Sequence, residues 1–216
     1  ETYKFYLTLA GSSDVAYKSE EISFLYTTQY IMVIKENTGP GDSLFMLDKL
    51  SKSTQAIEYP DEQSAAEFRV YNGLYQHALL PNFDNEIALH LNGVDDNAEV
   101  SALAQGSFSA SLSQPFGDYS MNITNGEQGN ILAKNLLLTL SANSDKSVFF
   151  YLTEVEEDEG DDDSENEITL YVNSLVTDNS NRISLYDHQI KVINLINDYS
   201  GVSVYFVRSN ETISST

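Results

Sequence analysis

The chain carries its own internal repeat. Phe68-Arg69-Val70-Tyr71-Asn72 returns in pattern as Ile190-Lys191-Val192-Ile193-Asn194. Each copy is followed by a loop and a second alternating segment, Ile87-Ala88-Leu89-His90-Leu91 and Val202-Ser203-Val204-Tyr205-Phe206. Upstream, Tyr30-Ile31-Met32-Val33-Ile34, Ser43-Leu44-Phe45-Met46 and Ala56-Ile57-Glu58-Tyr59-Pro60 correspond to Ser147-Val148-Phe149-Phe150-Tyr151, Glu167-Ile168-Thr169-Leu170 and Ile183-Ser184-Leu185-Tyr186-Asp187. The offsets, roughly 115–127 residues, are the size of one β-sandwich module and far exceed a solenoid or propeller repeat.

Within each copy the apolar residues alternate with polar ones at period two, the mark of strands with one buried face. Phe108, Ala110 and Leu112 alternate with serines, and Tyr119, Met121 and Ile123 with Ser120, Asn122 and Thr124. About fifteen strands are expected, near residues 2–9, 21–26, 29–35, 43–47, 54–59, 67–72, 86–92, 107–112, 118–124, 132–140, 146–153, 167–172, 182–187, 189–194 and 201–207. Gly39-Pro40-Gly41, Asn92-Gly93, Asn125-Gly126 and Asp178-Asn179-Ser180 supply turn chemistry between them. Ala98 to Ala104 is the one stretch that reads as a short helix. The expected fold is all-β, two tandem immunoglobulin-like antiparallel β-sandwich domains. The strand phase places Phe68, Val70, Ile87, Leu89, Leu91, Tyr119, Met121, Ile123, Leu138 and Leu170 in the core, and Lys4, Arg69, His90 and Asn122 outside it.

The order of the pieces sets the domain boundaries. Residues 67–187 contain a whole module, residues 1–66 match only its later part, and 188–216 match only its opening strand pair. The expected arrangement is a first module of 1–66 plus 188–216, closed by the C-terminal strands, with 67–187 inserted. Ile190, Val192, Val202, Val204 and Phe206 would then share a core with Phe5, Leu7, Ile22 and Phe24. An unpaired hairpin is marginal in water and an open edge invites association. A chain that opens inside a strand pattern is also expected to have had sequence ahead of it.

At −22 the net charge disfavours nucleic acid and bare anionic membrane, both of which call for a basic surface. No run reaches the roughly 18–20 apolar residues of a membrane helix. With no cysteine there is no disulfide, thiolate nucleophile or zinc–thiolate site.

Phe68-Arg69-Val70-Tyr71-Asn72, then Glu86-Ile87-Ala88-Leu89-His90-Leu91-Asn92-Gly93, then Pro115-Phe116-Gly117-Asp118-Tyr119, resembles the bacterial exported modules called domain of unknown function 4397. The resemblance covers most of 67–153 and, more faintly, 189–207. Gly73-Leu74-Tyr75-Gln76-His77 stands where that family has Ala-Ser-Pro-Asp. The resemblance implies an exported protein of tandem immunoglobulin-like sandwiches and carries no catalytic residues with it.

Candidate sites are few. The segment from Glu154 to Glu167 holds ten acidic residues and no basic one. Asp158, Asp161, Asp162, Asp163 and Glu165 are its candidate calcium ligands, since calcium takes six to eight oxygen donors. The spacing is not that of an EF-hand, so a weak site at best is expected. Asp84, Glu86, Asp95 and Asp96 flank one strand and read as turn residues. His77, His90 and His188 are separated and form no ligand set. There is no G-x-S-x-G and no H-E-x-x-H. Among fourteen tyrosines, Tyr6, Tyr71, Tyr171, Tyr186 and Tyr205 fall on the face away from the expected core. An exposed tyrosine face offers apolar area with a polar tip. The functional expectation is a non-catalytic exported protein of the periplasm, outer cell surface or medium, working in adhesion or binding an extracellular protein or carbohydrate. A calcium- or carbohydrate-binding module and a hydrolase with an unrecognised carboxylate site are the alternatives.

Overall fold

The computed structural model describes residues 1–51, 55–94, 97–126, 129–157, 167–179, 192–195 and 203–204. Among them are fifteen strands and no helix, and nearly all the pairing is antiparallel.

The middle of the chain forms two four-stranded sheets packed on a shared core. One has the order β10 (Val100–Ala104), β9 (Glu86–Leu91), β12 (Gly117–Asn125), β13 (Ile131–Leu140). The other has the order β11 (Leu112–Pro115), β8 (Ala65–Asn72), β14 (Asp145–Glu157), β15 (Glu167–Asp178). The strand alternation explains the core: Phe68, Val70, Ile87, Leu89, Met121, Ile123, Leu138, Val148 and Phe150 are buried in one cluster drawn from both sheets. Leu91, Tyr119 and Leu170 pack at its margin. One pair is parallel, β8 with β14, placing Val70 beside Val148 and Asn72 beside Phe150.

Three expectations are corrected here. Residues 100–104 are a strand, not a helix: Leu103 faces the core and pairs with Ile87 on β9, past a bulge that begins at Val100. Burial of an alternating apolar residue outweighs the helix propensity of the alanines. Asn122 is buried because β13 bulges opposite it. The bulge holds Asn135 at a φ of 58°, and Asn122 Oδ1 accepts the Asn135 N–H that the ladder leaves unpaired. His90 is buried beside it on the central strand, level with Asn122, with Nε2 3.4 Å from Thr124 Oγ1.

The first part of the chain is built from β1 (Thr2–Tyr3), β2 (Tyr6–Thr8), β3 (Val15–Lys18), β4 (Ile22–Ser23), β5 (Ile31–Glu36), β6 (Phe45–Leu50) and β7 (Ile57–Tyr59). Pairs β1–β4 and β2–β3 face a three-stranded sheet β5-β6-β7. Its core is small: Tyr17, Ile22, Leu47 and Tyr59 are buried, with Phe5, Leu7, Phe24, Met32 and Phe45 against them. Met32 pairs across with Lys49, and Ile34 with Leu47, so the core face of β5 carries Met32 and Ile34. In β14 the core residues are Val148, Phe150 and Leu152. The repeat as read from sequence sets Ile31 level with Val148, so it is out of phase by one residue at this strand.

The two parts meet through loops. Gly39 packs on Asn143 so closely that a Cβ there would lie 2.2 Å from its Oδ1, and a Cβ at Gly41 would lie 2.9 Å from that of Ala65. The link from β7 to β8 is braced by Asp61, whose carboxylate accepts the N–H groups of Lys18 at 2.9 Å and Gln63 at 2.7 Å. Of the expected C-terminal strand pair, only 192–195 and 203–204 lie within the described residues, and none of these is in a strand. Val192 and Val204 are exposed, and Leu195 lies against Gly73, just past the end of β8.

Candidate functional site

The residues expected to hold calcium, Asp158, Asp161, Asp162, Asp163 and Glu165, lie outside the described residues, as do Asp95, Asp96 and His188. Among the described residues no group of three or more histidines and carboxylates comes together. Asp84 and Glu86 are exposed turn and strand-end residues. His77 is tied into its loop. Its Nδ1 accepts the Leu79 N–H at 3.2 Å, which leaves the proton on Nε2, 2.9 Å from Glu154 Oε1.

What the structure does assemble is an aromatic surface on the first part of the chain. β1 and β4 pair so that Tyr3 lies level with Ile22, and the chain beyond β4 brings Phe24 alongside. Phe24 is the hub: its ring centroid is 5.9 Å from Tyr3, 6.0 Å from Phe5 and 5.1 Å from Tyr30, all edge-on or tilted. Lys49, almost fully buried, projects from β6 into this cluster. Its ammonium donates to the Ser23 carbonyl at 2.9 Å and sits 5.3 Å from the Phe24 and Tyr30 ring centres and 5.5 Å from Tyr59. The faces of three rings supply electrostatic stabilisation to this buried charge.

Outward of this hub the surface is apolar and wet. Leu25 is 74% exposed and Tyr26 77%, and Tyr3 stands beside them half exposed. The two tyrosines are fixed by one carboxylate, since Tyr26 Oη donates to Glu1 Oε1 at 2.9 Å and Tyr3 Oη donates to Glu1 Oε2. The same bonds hold the Glu1 carboxyl below its ordinary value, Tyr3 contributing most, and raise the Tyr3 phenol. Rings held this way lose little further freedom on contact with a partner.

Of the tyrosines that the sequence sets on the outer face, Tyr6 and Tyr171 are exposed. Tyr71 is half-buried against Phe108 and Phe149, at 5.0 and 5.7 Å between centroids, and Arg69 covers Phe108. Tyr186 and Tyr205 lie outside the described residues. Sequence reasoning missed the Phe24 hub and Lys49. The one signal available was the crowding of Phe24, Tyr26 and Tyr30 within seven positions.

A cleft of about 770 Å³ lies between the two parts, lined among others by Lys35, Asn37, Thr38, Glu58, Ser141 and Asn143. Lys35 is already neutralised, 3.1 Å from Asp48 Oδ1 and 2.7 Å from Glu58 Oε1, and Glu58 raises its ammonium above the ordinary value. The lining therefore suits a neutral hydroxylated group better than an anion. No protein-family model, curated protein or solved structure matches this chain.

Proposed function

We propose that the chain is a non-catalytic, exported protein of the cell envelope or cell surface, built of tandem immunoglobulin-like sandwich modules, and that it works by contact with an extracellular protein or carbohydrate. The observation that carries this reading is the fixed aromatic surface of Tyr3, Leu25 and Tyr26. Large exposed apolar side chains gathered in one place are characteristic of interaction sites, and tyrosine is enriched in them. The acidic balance of the chain agrees with a role away from nucleic acid. The cleft lined by the amides of Asn37 and Asn143, the hydroxyls of Thr38 and Ser141 and the carboxylates of Glu36 and Glu58 offers partners to a hydroxyl-rich ligand, and so favours carbohydrate among the two ligand classes.

The test is binding of the fluorescently labelled chain to arrays of neutral oligosaccharides and of extracellular matrix proteins. Specific binding that Tyr26→Ala and Tyr3→Ala each weaken by about tenfold, the effect of removing an aromatic anchor, supports the reading. Binding that both variants leave unchanged, or no binding on either array, overturns it.

A further inference from the structure

We infer that the cleft between the two parts is a binding site for a neutral saccharide, and that a bound saccharide holds the junction closed. The inference rests on the carbohydrate half of the reading above. It adds where the sugar sits and what its binding does to the molecule.

Each wall of the cleft is firm within its own part. The β5–β6 turn is tied by Asn37, whose Oδ1 accepts the Gly39 N–H at 3.2 Å and whose Nδ2 donates to the Ser43 carbonyl at 3.0 Å. The β13–β14 turn is tied to β8, since the Asn143 N–H donates to the Ala65 carbonyl and the Glu67 N–H to the Ser144 carbonyl, both at 2.8 Å. Between these two turns the bonding is thin. Among the described residues one hydrogen bond crosses from the β5–β6 hairpin to the middle module. It is Asn143 Nδ2 donating to Met46 Sδ at 3.3 Å, and a thioether is a weak acceptor.

Closing the junction also strands polar atoms. Six buried side-chain polar atoms have no hydrogen-bond partner among the described residues, and four of them gather where the parts meet. They are the hydroxyls of Ser43 in the β5–β6 turn, Ser64 just before β8 and Ser144 in the β13–β14 turn, and Asn143 Oδ1. Gly39 of the first part lies directly over Asn143 Oδ1. A buried polar atom left unpaired costs about 1–3 kcal/mol, so each oxygen that opening would hydrate weighs against closure. A bond that bridges the walls shifts the balance back toward the closed form.

The lining sets the chemistry of that bridge. The cleft holds about 770 Å³, within the roughly 300–1,000 Å³ of small-ligand sites. Thr38 and Glu36 on the first wall and Ser141 on the second present polar groups that no other described side chain engages. Met46, Pro60 and Ala142 add apolar area beside them. Two carboxylates, Glu36 and Glu58, stand against the single ammonium of Lys35, which Asp48 and Glu58 already hold. An acidic saccharide is repelled here, whereas neutral hydroxyls can donate to the carboxylates and accept from Thr38 and Ser141. A ligand that touches Thr38 and Ser141 together bonds both parts at once, so it binds the closed junction more tightly than the open one.

The probes are neutral trisaccharides of glucose, mannose and N-acetylglucosamine, with trigalacturonate as the acidic control, titrated by calorimetry. The chain has no cysteine, so Glu21→Cys and Lys134→Cys, exposed and one on each part, take spin labels that read the distance between the parts. At least one neutral trisaccharide is expected to bind, the triuronate is not, and saturating sugar should narrow the distance distribution. Ser141→Trp, at an exposed position, fills the cleft and should weaken binding by about tenfold or more. Gly39→Ala holds the junction open and should weaken it by about fivefold or more through linkage. Should Tyr26→Ala abolish sugar binding while Ser141→Trp leaves it intact, the sugar sits on the aromatic surface; the reading above then stands and this inference falls. Distances unchanged at saturating sugar, or binding of the triuronate as tight as that of the neutral sugars, also overturn it. If no neutral trisaccharide binds, this inference falls, while specific binding to the matrix proteins still carries the reading above.

Discussion

Ile34 and Leu47 face each other directly across β5 and β6 on the same side of the sheet, yet Leu47 is 1% exposed and Ile34 56%. Cross-strand partners share their surroundings unless one strand is at an edge, so this pair locates the end of the first core to a single strand spacing. Leu47→Ala should destabilise the first part of the chain by about 2–5 kcal/mol, as for a fully buried leucine. Ile34→Ala should cost less than about 1 kcal/mol, because more than half of its side chain is already exposed. Urea unfolding of both variants at low concentration measures the contrast.

Tyr17 gives the first part an alkaline limit. It is fully buried, donates to the Tyr59 carbonyl at 3.0 Å, and burial, helped by the charge of Asp61, raises its phenol well above the ordinary value. A raised folded value means that the neutral form is favoured by folding. This contribution is fully present below the unfolded value of about 10 and is lost as pH rises from there toward the folded value. Stability should fall steeply above about pH 10. Tyr17→Phe should be less stable at neutral pH by about 1 kcal/mol for the lost hydrogen bond, and its alkaline decline should be shallower. Thermal melts from neutral to strongly alkaline pH separate the two effects.

Asp61 joins the parts. Asp61→Ala leaves the Lys18 and Gln63 N–H groups without their acceptor in a nearly closed site, an expected cost of about 1–3 kcal/mol. Asp61→Asn retains one acceptor oxygen and should recover part of it. The same melts, with proteolysis at 60–64 as a second readout, test this.

Gly39→Ala should pry the junction open, since its Cβ would overlap the Asn143 side chain at 2.2 Å. The expected outcome is a lower melting temperature for the first part, an unchanged middle module, and a larger radius of gyration in small-angle scattering. Asn143→Gly in the same chain, which also removes the Asn143 Cβ that lies 2.4 Å from the added carbon, should relieve the clash.

The acidic segment should bind calcium only weakly, with no micromolar site by calorimetry. Its ten carboxylates lack the spacing that fixes ligand geometry. Replacing Asp161, Asp162 and Asp163 together with serine should then change little at physiological calcium; tight binding abolished by that replacement would contradict this.

The core of the middle module was legible in the chain because its strands bury one face each. Period two alone places Phe68, Val70, Ile87, Leu89, Met121, Ile123 and Leu138. Periodicity does not report what covers the other face of a central strand, so His90 and Asn122 read as exposed. Nor does it show a bulge: Asn135 adopts a positive φ that asparagine tolerates without demanding. At β5 both faces are apolar, Ile31 and Val33 as well as Met32 and Ile34, and alternation there gives no phase. That is why the repeat slipped by one residue at this strand. The Phe24 hub was illegible for a different reason, since its partners Tyr3 and Phe5, Tyr30 and Lys49 come from three separate stretches of chain brought together only by folding.

The five residues between β7 and β8 deserve a mechanical reading. Asp61 and Ser64 are buried, Ser64 N–H bonds to the Asp61 carbonyl, and Glu62 bridges Lys4 at 2.9 Å and Lys18 at 2.6 Å. Each of these ties runs to the first part or within the connector itself, so the connector is a continuation of the first part's fold and leaves no free length of chain before Ala65. Tension applied to β8 is therefore met at Asp61 and Glu62, without a slack linker to draw out first. The angle between the parts is set elsewhere, by the loop contacts of Gly39 with Asn143 and Gly41 with Ala65, so reach and angle are governed by different residues.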